Sequence, residues 1–414
     1  MTMNNKKSWL FWGIGAVFFL AQYFPRLAPG IMLQNLIETF QVSSIALGGL
    51  AFLFYIGYVS MQVPAGMLLD RFGSKNLIAI SSLVCGISCI LFALSPTFFL
   101  ILVARFILGF GAAFAFIAAV KLATVWFPVE RLGMMVGITQ GLGMLGAALG
   151  DAPFRHLMNV IGWRESMWVI SVLFILIAMA ALLWLKRAKQ HVLTTTEHYK
   201  LLQGFVVVLK NPNSWINALY VGMLYVPTVV FGEFWGVVFM EKVHHLSPVL
   251  AAFMVSLIFI GFGVGSIVLG WCSDVTRDRK KYMMGGSLVS LVLGVLMLYA
   301  HMSNVNLMLI VFLFGFANAG VTISYTLSGE INPRSVAGTS VAFANMASIL
   351  VGALIQPLVG FLVEWHASGK TLNGVHVYVA GDYQFAMSVL VIAILVSVFA
   401  ACFIKNPAWM NKPS

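Results

Sequence analysis

An all-α integral membrane fold, with about twelve transmembrane helices in two six-helix bundles, is what this sequence predicts, and three observations predict it. Of the 414 residues, 61% are hydrophobic and only 9% charged, far from the roughly one-quarter charged usage of soluble domains. The apolar residues fall in runs of about 20 to 25, enough for a helix to cross the bilayer. A charged turn recurs half the chain apart, GMLLDRFGSK from Gly66 and GWCSDVTRDRKK from Gly270. The alternating strands of a membrane barrel are absent.

Taken in order, apolar stretches bounded by turn-like or charged residues place helices at 9–34, 43–68, 76–95, 98–126, 132–155 and 166–185. A second set follows at 214–239, 248–271, 281–301, 306–328, 337–363 and 385–404. The expected domains are therefore 1–185 and 214–414, joined by a cytoplasmic linker at 186–213 that carries a short amphipathic segment near Leu201 to Lys210.

The net charge of +11 would suggest nucleic acid in a soluble chain. Here it reports orientation, because cytoplasmic loops collect Lys and Arg. With both termini inside, 17 of the 24 basic residues lie on the cytoplasmic side, Arg155, Arg164, Lys242 and Lys370 lie outside, and Arg26, Arg105 and Lys121 fall within spans. The expected location is the bacterial inner membrane. The amino-terminal apolar run lacks a small-residue cleavage site and continues into Arg26 and two prolines, unlike a removed signal. Cys85, Cys89, Cys272 and Cys402 sit in apolar runs without the spacing of a disulfide framework or a metal site. No nucleophile with its base, metal cluster or phosphate loop is present, so no enzyme, cofactor or metal is expected.

Both charged turns fall between the second and third helix of their half, so the chain reads as a tandem repeat. FPVERLG and INPRSVAG agree with this, setting Pro128 over Pro333 at an offset of 205. Parallel repeats of this kind bind solute at the midplane between the halves. Gly66 and Gly270 allow close helix approach, and Asp70 and Asp274 suit the positive start of a helix in the opposite half. Arg71 and Lys75 either join that gate or simply obey the inside rule.

These residues resemble the major facilitator superfamily of secondary transporters across essentially the whole chain. Gly66, Asp70, Arg71, Gly73 and Lys75 stand where its signature loop has them, RFILGFG from Arg105 resembles its fourth-helix motif, and GWR at Gly162 resembles the end of its fifth-to-sixth connection. In the second loop Thr276 and Arg277 replace the glycine-centred turn. The resemblance implies that the loop aspartates help lock the outward-open state and that Arg105 belongs to the central cavity. KLATVWFP from Lys121, AGTSVAFANM from Ala337, IQPLVGFL from Ile355 and DYQFAM from Asp382 resemble the branch of phagosomal nutrient transporters of intracellular bacteria. That branch implies uptake of amino acids, nucleosides or small peptides. GLGMLGAALG in the fifth helix lacks the glycine-proline pair of drug/proton antiporters.

Ionisable groups inside a membrane are costly and mark function. Arg26 lies between Pro25 and Pro29, which donate no backbone hydrogen bond and leave the carbonyls of Ala21 and Pro25 without helical partners. The competing reading is an arginine reaching the outer interface. Pro227 takes the corresponding place in the seventh helix, followed by Glu233, at a depth that lets it share a site with Arg26. Tyr23, Arg26, Arg105, Lys121, Gln140, Tyr225, Asn318 and Asn345 are the candidate solute-binding residues; Lys121 could equally reach inner headgroups, and the amides could hold helices together. Glu233 is the candidate proton carrier unless it is permanently hydrated near the surface. Gly66, Asp70, Arg71, Gly73, Lys75, Gly270 and Asp274 are the candidate gating residues.

The expected protein is a monomeric, proton-coupled importer of a small polar nutrient bearing a carboxylate, an amino acid or small peptide. The alternatives are a nucleoside or organic-anion symporter, an efflux antiporter on the same fold, and a membrane sensor that moves nothing. Partners are the solute, protons and the lipid bilayer, and not nucleic acid.

Overall fold

A computed structural model of the protein describes residues 5–41, 44–185, 201–367, 371–372, 375–376 and 378–407. Most of the expected linker lies outside the described residues. Among those described, eleven helical stretches are long and apolar enough to cross a membrane. A further helix, α7 (Leu132–Ile161), stands where the fifth span was expected. The protein is a multi-pass membrane protein.

Three expected spans are interrupted. The first becomes α1 (Asn5–Ala21), α2 (Tyr23–Ile31) and α3 (Leu33–Phe40). Helix α1 ends at Ala21 because Pro25, four residues on, has no N–H for its carbonyl. Helices α4 (Ser44–Phe72), α5 (Ser74–Leu94), α6 (Phe98–Trp126), α7 and α8 (Trp163–Trp184) follow, and the amphipathic segment is the helix α9 (Leu201–Lys210). The seventh span is α10 (Pro212–Val226), a wide-turned π segment opened by its proline (Pro227–Trp235), and α11 (Gly236–Val243). After α12 (Pro248–Val275) and α13 (Arg279–Tyr299), the tenth span breaks at Ala319 into α14 (Asn304–Asn318) and α15 (Gly320–Glu330). Helices α16 (Ala337–Ala367) and α17 (Ala380–Phe403) complete the chain, with a two-residue antiparallel pair, β1 (Thr371–Leu372) and β2 (Val375–His376), between them.

The chain divides into two compact units. The first gathers Met1–Met135, Leu142–Lys210 and Asn332–Phe343; the second gathers Val136–Gly141, Asn211–Ile331 and Ala344–Ser414. The repeat is visible within each. In the first unit α4 and α6 cross so closely that a Cβ on Gly109 would lie 2.1 Å from the Phe54 carbonyl oxygen, and one on Gly57 would lie 2.4 Å from that of Phe106. In the second, Gly315 and Gly261 do the same for α12 and α14, at 2.0 Å from the Phe312 oxygen for Gly261 and 2.1 Å from the Ile258 oxygen for Gly315. No larger residue fits at these crossings, which is how small residues bring membrane helices together. Pro128 and Pro333 each precede a three-residue 3-10 turn, Val129–Arg131 and Arg334–Val336, that leads into a long helix.

Candidate solute-binding and gating residues

The broken first helix organises a cluster of cations and rings in the first unit. Arg26 on α2 is half-buried; its Nη2 donates to the Tyr55 hydroxyl at 3.0 Å. Its guanidinium lies 5.3 Å from the Tyr23 ring centre, 5.7 Å from that of Phe54 and 5.4 Å from that of Tyr55. Arg105, from α6, is buried. It donates to three carbonyls: Nη1 to Pro25 at 2.7 Å, Nη2 to Arg26 at 3.2 Å and Nε to Leu50 at 3.1 Å. Its guanidinium lies 4.9 Å from the centre of the same Phe54 ring. Ring faces and carbonyl dipoles stabilise the two cations. No carboxylate lies within ion-pair distance of Arg105 among the described residues. The structure brings Tyr23, Arg26 and Arg105 together, with Arg105 turned to backbone carbonyls rather than open space.

Lys121, a candidate solute ligand by sequence, stands against Asp70 in the structure. Its ammonium pairs with Asp70 at 2.6 Å, since both side chains project from the same end of the tightly crossed α4 and α6. The Asp70 carboxylate also accepts from the amides of Gly338 at 2.9 Å and Thr339 at 2.8 Å, and from the Thr339 hydroxyl at 2.8 Å. These are free donors at the start of α16, where the helix dipole adds to the attraction. A Cβ on Gly66 would come within 2.6 Å of the Gly338 oxygen, so the glycine sets this approach. Gly73 turns the chain with φ at 77°. Arg71 is exposed, with its guanidinium 5.3 Å from the Phe72 ring centre, and Lys75 is partly exposed. Beside this cluster α9 brings Phe205 to 6.5 Å from Phe343, ring centre to ring centre.

The corresponding turn of the second unit is built differently. Arg277 occupies the left-handed place of Gly73, with φ at 54°. Asp274 and Glu330 both pair with Arg279, one of the 17 basic residues expected on the cytoplasmic side, which the structure buries completely. Arg279 forks onto Glu330 through Nε at 3.2 Å and Nη2 at 3.0 Å, and its Nη1 reaches both Asp274 and the Ser273 hydroxyl. The Gly270 carbonyl accepts from Ser273 at 2.9 Å. Sequence reading missed Arg279 and Glu330, although a basic residue five positions after Asp274 was the available signal.

Also in the second unit, Glu233 sits exposed in the π segment rather than buried. The i→i+5 register after Pro227 turns later side chains to directions an α-helix would not give. Gln356 on α16 donates to the Val229 carbonyl at 3.0 Å, and the Trp235 indole donates to the Gln356 carbonyl at 3.2 Å. Tyr225 is buried, edge-on to Phe262 at 6.0 Å. Gln140 and Asn345 are buried. Asn318 is fully buried with its amide on the Phe314 carbonyl at 2.8 Å, and its Oδ1 has no hydrogen-bond partner among the described residues. Arg26 belongs to the first unit and Glu233 to the second.

The family model described as "Major Facilitator Superfamily" matches residues 10–357. The chain belongs to the Major Facilitator Superfamily. It is a secondary transporter of that family and not an enzyme. This superfamily member is similar over its length to the solved structure of the MFS transporter FucP in the outward conformation, with a TM-score of 0.74, 18% identity and coverage of 95% of this chain and 98% of that one. It is also similar to the proton:xylose symporter XylE, with a TM-score of 0.70, 16% identity and coverage of 97% of each. At such identities these likenesses speak for the fold. Among curated relatives, the probable galactarate/D-glucarate transporter GudP of Escherichia coli is 23% identical over 89% of this chain and 90% of its own length. The membrane sensor protein UhpC of Salmonella typhimurium is 24% identical over 87% of this chain and 85% of its own. The probable sulfoacetate transporter SauU of Cupriavidus necator is 27% identical, but over 41% of this chain and 40% of its own length. The names of GudP and SauU are those of probable organic-anion transporters. They lend no support to the phagosomal nutrient branch or to amino-acid transport.

Proposed function

We propose that this superfamily member is a proton-coupled transporter of small organic anions of the sugar-acid type in the bacterial inner membrane. The observation that carries it is the pairing of Arg26 and Arg105 over the single ring of Phe54, with no carboxylate in ion-pair reach of Arg105 among the described residues. Positive charge in a low-dielectric surrounding favours an anionic guest. Arg26, partly exposed beside Tyr23 and Tyr55, is the cation that meets the solute carboxylate. The names of GudP and SauU agree with an anion, and so favour the organic-anion alternative over an amino acid or peptide. Glu233 is the proton carrier in this reading, with Tyr225, Asn318, Asn345 and Gln140 as the polar residues of the second unit that serve the solute. Asp70 and the start of α16 form a latch that is made and released during transport.

Binding to the purified protein tests the anion. D-glucarate should bind, its dimethyl ester should bind at least about tenfold more weakly, as the loss of a charge-assisted pair implies, and Arg26→Ala should remove the preference. Equal affinity for acid and ester would overturn the reading. A sensor, the reading that UhpC suggests, would bind the acid but give no exchange of labelled for unlabelled solute across liposomes.

A further inference from the structure

Pro29 has no N–H, so the carbonyl of Pro25, which an unbroken helix would pair with residue 29, needs another donor. Arg105 supplies it at 2.7 Å, the shortest of its three bonds. The same planar fork holds the next carbonyl of α2, that of Arg26, and the Leu50 carbonyl of α4. The glycine crossing at Gly109 and Gly57 brings α4 against α6 beside it, and so sets Phe54 under both guanidinium groups. From this geometry we infer that Arg105 is a positioning residue: it replaces the backbone donor lost at Pro29, ties α2 to α4 and α6, and thereby presents Arg26 to an organic anion. The inference rests on the anion reading for what Arg26 binds, but its structural half lies wholly within the first unit. A guanidinium suits the task because its donors are fixed in one plane, whereas a lysine is a point charge that reaches one carbonyl at a time.

The test is amide hydrogen exchange over residues 23–31 in the purified full-length protein without solute, alongside D-glucarate affinity. Arg105→Lys and Arg105→Gln should each speed exchange there by about tenfold or more and weaken glucarate binding alike, although only one of them keeps the charge. In a Pro29→Ala background, where residue 29 can donate to Pro25, Arg105→Gln should change exchange by less than about threefold, a coupling that a double-mutant cycle reads directly. If Arg105→Gln yields no folded protein, Arg105→Lys carries the same comparison in both backgrounds. Parent-like exchange and affinity in Arg105→Lys would show that charge alone matters and overturn the inference, and so would a full penalty in the Pro29→Ala background. If the parent protein does not bind glucarate, the anion reading fails, and the exchange data still decide whether Arg105 positions α2.

Discussion

The turn after α4 and the turn after α12 hold equivalent places in the repeat, yet the cation beside each aspartate is held differently. Asp70 takes the free amides of Gly338 and Thr339 and the ammonium of Lys121, with the two paired side chains 8% and 14% exposed. Asp274 shares a guanidinium with Glu330 in a network where no paired side chain is more than 3% exposed. Bonds to helix-start amides at a partly wet site can be exchanged for water at modest cost. A buried cation between two buried carboxylates cannot, because losing any member strands charge in low dielectric. The second repeat thus has a buried guanidinium braced between two carboxylates where the first has a partly exposed ammonium on one.

The largest expected effect falls on the brace. Arg279→Gln leaves Asp274 and Glu330 without their cation, a loss of about 3–5 kcal/mol, so thermal unfolding in detergent should show little folded protein; a parent-like midpoint would refute the brace. Asp70→Asn should come next, slowing turnover in liposomes by about tenfold, or about 1.4 kcal/mol on the latch, while solute affinity moves less than twofold. Lost affinity with unchanged turnover would place Asp70 in the binding site instead. Asp274→Asn should show the reverse pattern, lowering the unfolding midpoint more than it slows turnover. Lys121→Met, which leaves the α16 amides on Asp70, should slow turnover only severalfold, since one partly exposed pair contributes on the order of 1 kcal/mol. The smallest effect, and the one of opposite sign, belongs to Arg277→Gly: relief of a left-handed residue should raise stability by about 0.5–1 kcal/mol. A fall would mean that the arginine side chain outweighs its backbone strain.

The sequence was most legible where a physical rule is local. Runs of apolar residues located the spans, Pro25 and Pro29 foretold the broken first helix, and the offset of the two turns exposed the repeat and singled out Asp70. It was least legible where the outcome depends on distant packing. Nothing near Lys121 announces Asp70 fifty-one residues away. Arg279 looks like any inside-facing basic residue until Glu330 folds against it. Glu233 was placed by its depth along the span, with a hydrated surface position as the alternative; depth says nothing of direction, and the structure exposes it in the π segment. The break at Ala319 carries no proline to signal it.

Uptake of labelled D-glucarate into liposomes holding the purified protein, under an imposed pH gradient with the acidic side outside, is the decisive measurement for proton-coupled anion transport. Accumulation above the outside concentration is expected, abolished by a protonophore, absent in Arg26→Ala and reduced to downhill exchange in Glu233→Gln. Entry of a neutral sugar alcohol in preference to the acid, with no response to the gradient, would contradict it.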